Sequence, residues 1–591
     1  MPDKFLLNRG LECIATGDFS EATEKFRQAI AADPDDAEAY NCLGAVQYKL
    51  NLFTEAESSL RQSLEHNPKN PDALCNLGAL FISSQRLETA QTYLEQLIQI
   101  RPDYPAAYNN LGFIQMQKGL FSEAKLSFRR VIELNPHSPD AYNNLGLIQT
   151  QEGSFEKAEA SFRRSLELNP KFPDACNNLG IVLKYLHRRQ EATYYFQQAL
   201  RLNPLFPAAY NSLGTILTET GRHDLAEQCF RRAIRLNPDY PDPYHNLGVL
   251  FTNLNHLAQA EDCFRQALAL NPRFTDAEFS LATLYLLQAR YEEGWEKYDK
   301  SRMIKHRQDQ PDIPRWQGES LSGKKILLYY EQGFGDTLHF VRYAHWVKKL
   351  SAQTVLWVQK PLRRLIAASF PRLEVYGIKT IHERSPEGFD FSCPLPSLPR
   401  VFNTSSASVP RKIPYINVYS EIVDRWKKTV GRTVASNRYK VGVAWAGNPN
   451  HHNDCNRSIP LDTFANLFAA NDVAWFSLQA EVSPPDLAKF PSKVFHQPGQ
   501  FSDFAETAGL IIHLDLIITV DSAVAHLAGA LGKNTWLLLP FAPDWRWQSD
   551  RENTPWYPTL RLFRQNRIGD WSEVLTRVKG ALSQQLQTSQ R

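Results

Sequence analysis

The chain is poor in the features that would settle its class at once. Only three methionines and eight cysteines occur in 591 residues, and no two cysteines form a C-x-x-C pair. Cysteines scattered in this way fit buried free thiols in a reducing compartment better than a disulfide frame or a zinc site. Net charge is nearly absent: 66 Lys and Arg stand against 63 Asp and Glu, a formal +3. No global field therefore draws the chain to nucleic acid or an anionic membrane. No apolar run is long enough to span a bilayer, and the opening "MPDKFLLNRGLECIATGDFS" lacks a basic region followed by a long apolar one, so a non-exported, cytoplasmic protein is expected. No D-x-D motif follows residue 310. The "HHNDC" stretch, His451 to Cys455, offers ligand types at no standard zinc spacing and reads as a polar loop, so no metal is assigned.

What is present in abundance is repetition. Gly10, Gly44, Gly78, Gly112, Gly146, Gly180, Gly214 and Gly248 fall 34 residues apart, and Ala282 continues the series. A small residue follows twelve positions later each time, from Ala22 to Ala260 and finally Gly294, and prolines at 34, 68, 102, 136, 170, 204, 238 and 272 close the units. Proline cannot donate the helical hydrogen bond, so it punctuates the period. The length and the "NNLG…EA…F…NP" pattern resemble tetratricopeptide repeats over about residues 3 to 306, nine units in all. A helical solenoid is expected over 1–306.

Asn76, Asn110, Asn144, Asn178 and Asn246 stand two positions before the glycine, with Cys42, Ser212 and Ser280 interrupting the series. Singly, each amide reads as a cap or a solvated group. As a set they resemble the asparagine ladder that in the O-linked N-acetylglucosamine transferases grips the main chain of extended protein substrates, an amide being both donor and acceptor. That resemblance implies an acceptor-protein groove. Pairs such as Arg129 with Arg130 and Arg163 with Arg164 read as a solvated face.

After residue 306 the period ends and short β-rich runs begin, "ILLYY", "TVLWV", "VGVAWAG", "VAWFSL", "LIITV" and "TWLLLP", with helical stretches between several of them. Strands alternating with helices predict parallel sheets covered on both faces. The polar stretch 429–440 divides the region, giving two Rossmann-like domains facing a cleft. Ligands in such sheets bind beyond the carboxyl ends of the strands. Two loops stand there. In "YYEQGFGDTLHF", Leu338 occupies the position where a dinucleotide fingerprint needs its third glycine, which excludes nicotinamide binding; Asp336 reads either as a helix cap or as a catalytic group. In "LIITVDSAVAHLAGALG", Asp521 and Ser522 precede a helix whose exposed N–H groups and positive dipole end suit an anion.

"QGFGD", "VGVAWAGNP", "NRSI", "SLQ", "DSAVAHLAGALG", "DWRW" and "WYPTLRLFRQ" occur in that order. Over roughly residues 310 to 580 the chain resembles GT-B glycosyltransferases related to heptosyltransferases, particularly bacterial forms fused to tetratricopeptide repeats. The resemblance implies a linker at 307–322, an acceptor-side domain at 323–428, a nucleotide-sugar domain at 437–575 and a tail at 576–591. It implies Asp336 as general base, and a donor diphosphate held by Asp521, Ser522, Ala523, Val524 and His526 with Arg457 of "NRSI", an arginine where heptosyltransferases commonly carry lysine. Gln479 is a donor-nucleotide contact or an ordinary strand-end group. His526 touches phosphate or is a buried packing residue. Trp545, Trp547, Trp556 and Tyr557 shape the pocket or belong to the core, and Arg546, Arg561 and Arg564 supply positive charge or pair with Asp544 and Asp550.

A hydroxyl attacks an anomeric carbon only as its proton is removed, and the leaving diphosphate needs its growing charge stabilised. These roles fit a metal-independent, inverting transfer of sugar from a nucleotide-sugar to a protein hydroxyl recruited by the repeats, with no cofactor beyond the donor. Two other readings stay open: a non-catalytic repeat scaffold whose α/β half binds a nucleotide-sugar or is inactive, and a transferase with a lipid or glycan acceptor.

Overall fold

The computed structural model describes residues 2–305, 310–385, 387–434, 438–451, 453–470, 472–480, 482, 494–496, 499 and 501–589. The chain forms two compact units, Met1–Pro238 and Asp239–Arg591.

The first unit is fourteen helices in seven pairs, from Pro2–Thr16 to His223–Leu236. A Cβ on Gly146 would stand 2.7 Å from the Phe162 ring, and Gly112, Gly180 and Gly214 meet Phe128, Phe196 and Phe230 in the same way. The periodic glycine thus lets the ring of the second helix lie against the backbone of the first. The small residues twelve positions on, Ala22 to Ala226, are fully buried. Each pair turns through one left-handed residue: Gly17, Asn51, Gln85, Gly119, Gly153, His187 and Gly221 all have positive φ. At Asn51 the turn is a Schellman closure, with Leu52 N–H donating to Gln47 O at 2.9 Å and Asn51 N–H to Tyr48 O at 3.0 Å, so the helix end keeps its carbonyls bonded. The second helix of a pair ends at an asparagine such as Asn67, whose Oδ1 accepts the Lys69 N–H at 3.2 Å, and Pro68 bars continuation.

The second unit opens with the last two pairs, Pro241–Asn253 with Leu257–Leu270 and Thr275–Leu287 with Tyr291–Lys305. Two wholly parallel sheets follow. The first contains β1 (Lys325–Tyr329), β2 (Gln353–Gln359), β3 (Glu374–Ile378) and β4 (Phe391–Pro394) in the order β3-β2-β1-β4. The second contains β5 (Tyr439–Ala444), β6 (Val473–Ser477), β7 (Val494–Phe495), β8 (Leu516–Val520), β9 (Thr535–Leu539) and β10 (Leu560–Arg564) in the order β10-β9-β8-β5-β6-β7. Leu328 pairs with Leu356, and Ile518 with Trp536. β6, β8 and β9 are buried along their whole length, as strands covered on both faces must be. The strand order reverses between β1 and β4 in one sheet and between β5 and β8 in the other, and at such switch points the loops leave room for a ligand. The architecture is a helical repeat solenoid followed by an α/β region of parallel sheets. Among the described residues no helix is long and apolar enough to cross a membrane, and none of the eight cysteines forms a disulfide.

Three boundaries differ from those expected. Before residue 428 the chain already packs on helices of the second sheet: Tyr415 N–H donates to Ala530 O at 3.1 Å, and Ile422 and Trp426 cover Gly509. The expected tail from 576 continues the helix Trp571–Ser589 and buries Val578 and Leu582. The repeat register reaches about residue 306, but the first compact unit ends at Pro238, because Tyr291, Trp295 and Tyr298 of the ninth pair enter one core with Trp545 and Trp556. A fragment of residues 1–238 should therefore fold alone, since repeats are held by nearest-neighbour contacts. A fragment of 1–306 should expose those three aromatics and bind a hydrophobic dye or self-associate. Circular dichroism and dye binding of the two fragments check this, and an unfolded 1–238 fragment overturns it.

Candidate functional site

β1 runs into a short loop and the helix Phe334–Phe340. Asp336 is the third residue of that helix, and its Oδ2 accepts the Gly333 N–H at 3.1 Å. It thus satisfies the helix start from within the first turn; Gly333, the cap position itself, has no side chain to reciprocate. Its Oδ1 accepts from Arg546 Nη2 at 2.5 Å. The carboxylate remains 22% exposed, so solvent and ligands reach it.

Arg546 belongs to the 3-10 turn Trp545–Trp547, which is started by the Asp544 carboxylate accepting the Arg546 N–H at 3.0 Å. Arg546 Nη1 donates to the same Asp544 oxygen at 2.8 Å, and the guanidinium lies 4.3 Å from the Trp545 ring centre. Burial alone would lower its pKa, but Asp544 and Asp336 outweigh that and raise it, so Arg546 stays charged.

Asp521 ends β8 at the other switch point, and Ser522, in extended conformation, precedes the helix Ala523–Ala530. No side chain caps this helix; Ser522 Oγ instead lies 3.4 Å from Thr519 Oγ1. The first-turn N–H groups at Ala523 and Val524 therefore meet no capping side chain, which is the arrangement an anion uses. Burial first, and then the Asp544 carboxylate, push Asp521 up to about 6; the Trp547 indole, Arg457 and Arg546 act in the opposite direction. The indole N–H is near enough to oppose the shift without forming a well-aligned hydrogen bond. Arg457 donates through Nε to Asp454 at 3.2 Å, and no hydrogen bond to its Nη groups is present among the described residues.

Asp336, Arg457, Asp521 and the 522–524 helix start therefore gather within one unit. Two expected donor contacts serve the scaffold instead. Gln479 pins the "WAG" loop, its Nε2 donating to Ala446 O at 3.2 Å and its Oε1 accepting the Ala446 N–H at 3.4 Å. His526 is buried, and its Nδ1 lies 2.9 Å from Tyr557 Oη, which also lies 3.0 Å from His339 Nδ1. Burial, followed by the neighbouring arginines, holds both imidazoles well below their ordinary pKa, so both are neutral. Trp545, Trp547, Trp556 and Tyr557 are core residues. Arg564 holds the Trp547 carbonyl at 2.6 Å, whereas Arg561 is exposed, 4.0 Å from Glu552. His339 and the Tyr557 hydroxyl have no sequence signal beyond lying near motifs. Arg546 had one, in "DWRW". Among the described residues no group of three or more His, Cys, Asp or Glu is placed to hold a metal ion; His452 of the "HHNDC" stretch lies outside them.

The asparagine ladder is half-buried throughout. In the first unit its amide donors bind the preceding repeat: Asn76 to Asn41 Oδ1 at 2.9 Å, Asn110 to Cys75 Sγ at 3.8 Å, Asn144 to Asn109 Oδ1 at 3.2 Å and Asn178 to Asn143 Oδ1 at 3.0 Å. One N–H of each amide thus ties adjacent repeats, which leaves its second N–H and its carbonyl oxygen to offer, although Asn144 Oδ1 also accepts from Asn143 Nδ2 at 3.5 Å. Asn246, in the second unit, interacts with His245.

Tetratricopeptide-repeat models match residues 10–51, 49–112, 81–145, 139–172, 173–206, 205–273 and 245–308. The N-terminal half of the chain is built of these repeats. A curated relative, Protein FlbA of Caulobacter vibrioides, is 26% identical over 325 residues, 51% of this chain and 54% of its own; the chain spans about half the length of the curated relative it matches. Among solved structures the chain is similar to the Cut9–Hcn1 hetero-tetramer of the APC/C, at 17% identity over 47% of this chain and 55% of that one with a TM-score of 0.41. It is also similar to pilF of Pseudomonas aeruginosa, at 21% identity over 34% of this chain and 91% of that one with a TM-score of 0.29.

Asp521 carries a stability consequence. A carboxylate whose pKa is raised by folding binds its proton more tightly in the native state, so its contribution to stability is full below about pH 4 and is lost as pH rises through about 6. Asp521→Asn removes that loss. The variant should exceed the parent by on the order of 1–3 kcal/mol at pH 8 and match it at pH 4. Denaturant titrations at the two pH values check the sign; equal stability at pH 8 overturns it.

Proposed function

We propose that the chain is a metal-independent GT-B glycosyltransferase moving a sugar from a nucleotide donor to a protein hydroxyl, with the repeats recruiting the acceptor. The observation that carries this reading is the meeting, in one unit, of a reachable carboxylate at one sheet's switch point and an uncapped helix start at the other's. Asp336 takes the acceptor proton as the oxygen attacks. The 522–524 helix start and Arg457 receive the diphosphate as the glycosidic bond to it breaks. In the repeats, the ladder oxygens accept main-chain N–H groups of an extended acceptor segment, which selects backbone over side chains. The inverting outcome and the reducing, cytoplasmic setting belong to the same reading.

One observation favours a second reading, a scaffold that binds a nucleotide-sugar without turnover: Arg546 already occupies the Asp336 carboxylate. A panel of nucleotide-sugars, assayed for binding by calorimetry and for transfer to proteins captured by the repeats, separates the two. In the transferase, Asp336→Asn should lower turnover by on the order of 10²–10⁴ with donor binding intact. Arg457→Ala should weaken donor binding as well as rate. Near-normal transfer by Asp336→Asn removes it as the base, and binding without transfer by the parent chain leaves the scaffold.

The ladder is tested separately. Replacing Asn110, Asn144 and Asn178 together by alanine should weaken acceptor-protein capture while donor affinity stays unchanged, and undiminished capture removes the ladder from recognition.

A further inference from the structure

The helix Tyr291–Lys305, the last of the repeats, touches the loop after β1 that leads to Asp336 and the turn after β9 that carries Arg546. Towards the first sheet, Arg302 forms an ion pair with Glu331, and both side chains are almost wholly buried. The same guanidinium lies 5.0 Å from the Tyr298 ring centre, and the Gln332 side chain joins the cluster, its amide nitrogen donating to the Tyr298 hydroxyl at 3.3 Å and to Asp336 Oδ1 at 3.2 Å while its Oε1 accepts from Arg302 Nε at 3.3 Å. Residues 331 and 332 lead directly into Gly333 and Asp336. Towards the second sheet, Trp295 packs edge-on against Trp545 with ring centres 5.2 Å apart, and Gln548 Nε2 donates to the Tyr291 hydroxyl at 3.2 Å. Gln548 has φ +55°, a conformation a non-glycine residue holds only where its surroundings impose it. It follows the turn that carries Arg546.

The loop after β1 is also tied to its own sheet: Tyr330 N–H donates to Trp357 O at 3.0 Å and its hydroxyl to Lys379 O at 2.6 Å. The Gln332 carbonyl accepts from Gln359 Nε2 at 2.7 Å, and Asp336 holds Gly333. An irregular loop fluctuates locally wherever packing does not restrain it. A buried ion pair is a poor source of net stability but a strong determinant of geometry, because losing one partner leaves the other charge buried and alone.

We infer that the ninth repeat is a positioning element for the site: Arg302 and Tyr298 set the conformation of the 331–336 loop, and with Tyr291 and Trp295 they fix Asp336 relative to Arg546. A protein docked on the terminal repeats then has a direct mechanical route to the site. The inference concerns loop conformation and does not depend on sugar transfer.

Hydrogen exchange on the full chain, read by mass spectrometry, tests it without any ligand. Arg302→Gln should speed exchange across 331–340 by roughly tenfold or more, with β2 and the helix Trp571–Ser589 unchanged, and Arg302→Lys should restore part of the protection. Val578→Ala, a buried change on that distant helix, serves as a control for general destabilisation and should leave 331–340 protected. Unchanged exchange at 331–340, or a rise spread equally over β2 and the helix Trp571–Ser589, overturns the inference. If Arg302→Gln does not fold, Glu331→Gln removes the pair from the loop's side and is read by the same two outcomes. Once a donor is identified, Arg302→Gln should lower kcat with little change in the KM for that donor. Altered exchange in a chain that transfers no sugar leaves the inference standing while the transferase reading falls.

Discussion

A guanidinium held between two carboxylates organises the α/β unit. Arg546 comes from the turn after β9 and Asp336 from the loop after β1, so their contact cross-links the loops of the two sheets. Arg546 is nearly buried, and a charge in that position persists only while its partners do. The rest of the local structure serves this placement. Asp544 caps the turn and pairs with the same side chain, Trp545 lies beneath the guanidinium, and Arg564 anchors the carbonyl of Trp547. Below them Arg342 spans the two halves with no carboxylate partner among the described residues, donating to His339 O, Pro410 O, Trp556 O and the Tyr415 hydroxyl.

Charge counting then limits what the site can take. Asp336, Asp454, Asp521 and Asp544 stand against Arg457 and Arg546. With every group ionised the site is negative, and a diphosphate would meet repulsion. Two features relieve this. Burial makes Asp521 take up a proton as pH falls through about 6, and Arg457 hydrogen-bonds Asp454 through Nε, with no hydrogen bond from its Nη groups among the described residues. The uncapped helix start adds partial positive charge without a side chain. A phosphate arriving here would meet oriented N–H groups rather than a favourable net charge.

Much of this was legible in the sequence, and the parts that were not have identifiable causes. The repeats were readable residue by residue, because glycine opposite a ring and proline after a helix are steric requirements. The left-handed position was not: Gly153, Asn51, Gln85, His187 and Ala289 occupy it in different repeats, since Schellman hydrogen bonds rather than one residue type enforce it. The placement of Asp336 and Asp521 at strand-to-helix turns was legible because such turns announce themselves in the hydrophobic pattern. Gln479, after β6, and His526, within the helix after Asp521, face the backbone and the core, a distinction of orientation that spacing does not carry. Arg546 presented a choice between pairing with Asp544 and lending charge to the site, and the structure does both with different nitrogens. Tyr291, Trp295 and Tyr298 fall inside the repeat register, and only their partners in the 545–556 segment reveal that the ninth repeat belongs to the α/β core.

The second glycine of "GFGD" shows how closely the two loops depend on one another. A Cβ on Gly335 would sit 2.9 Å from His526 Cδ2 and 3.5 Å from its Nε2, so glycine is what allows the imidazole to reach this loop. The Tyr557 hydroxyl stands between two neutral histidines and has one proton to give. His339 Nε2 is buried without a partner, and a buried orphan N–H is rarer than a buried orphan acceptor. His339 therefore carries its proton on Nδ1 and donates to the Tyr557 oxygen. Tyr557 in turn donates to His526 Nδ1, and the His526 proton is left on Nε2, beside Gly335. Burial bars His526 from acting as a cation, and the relay leaves it a neutral N–H donor next to the loop that bears Asp336, so the two loops are held together without adding charge between them.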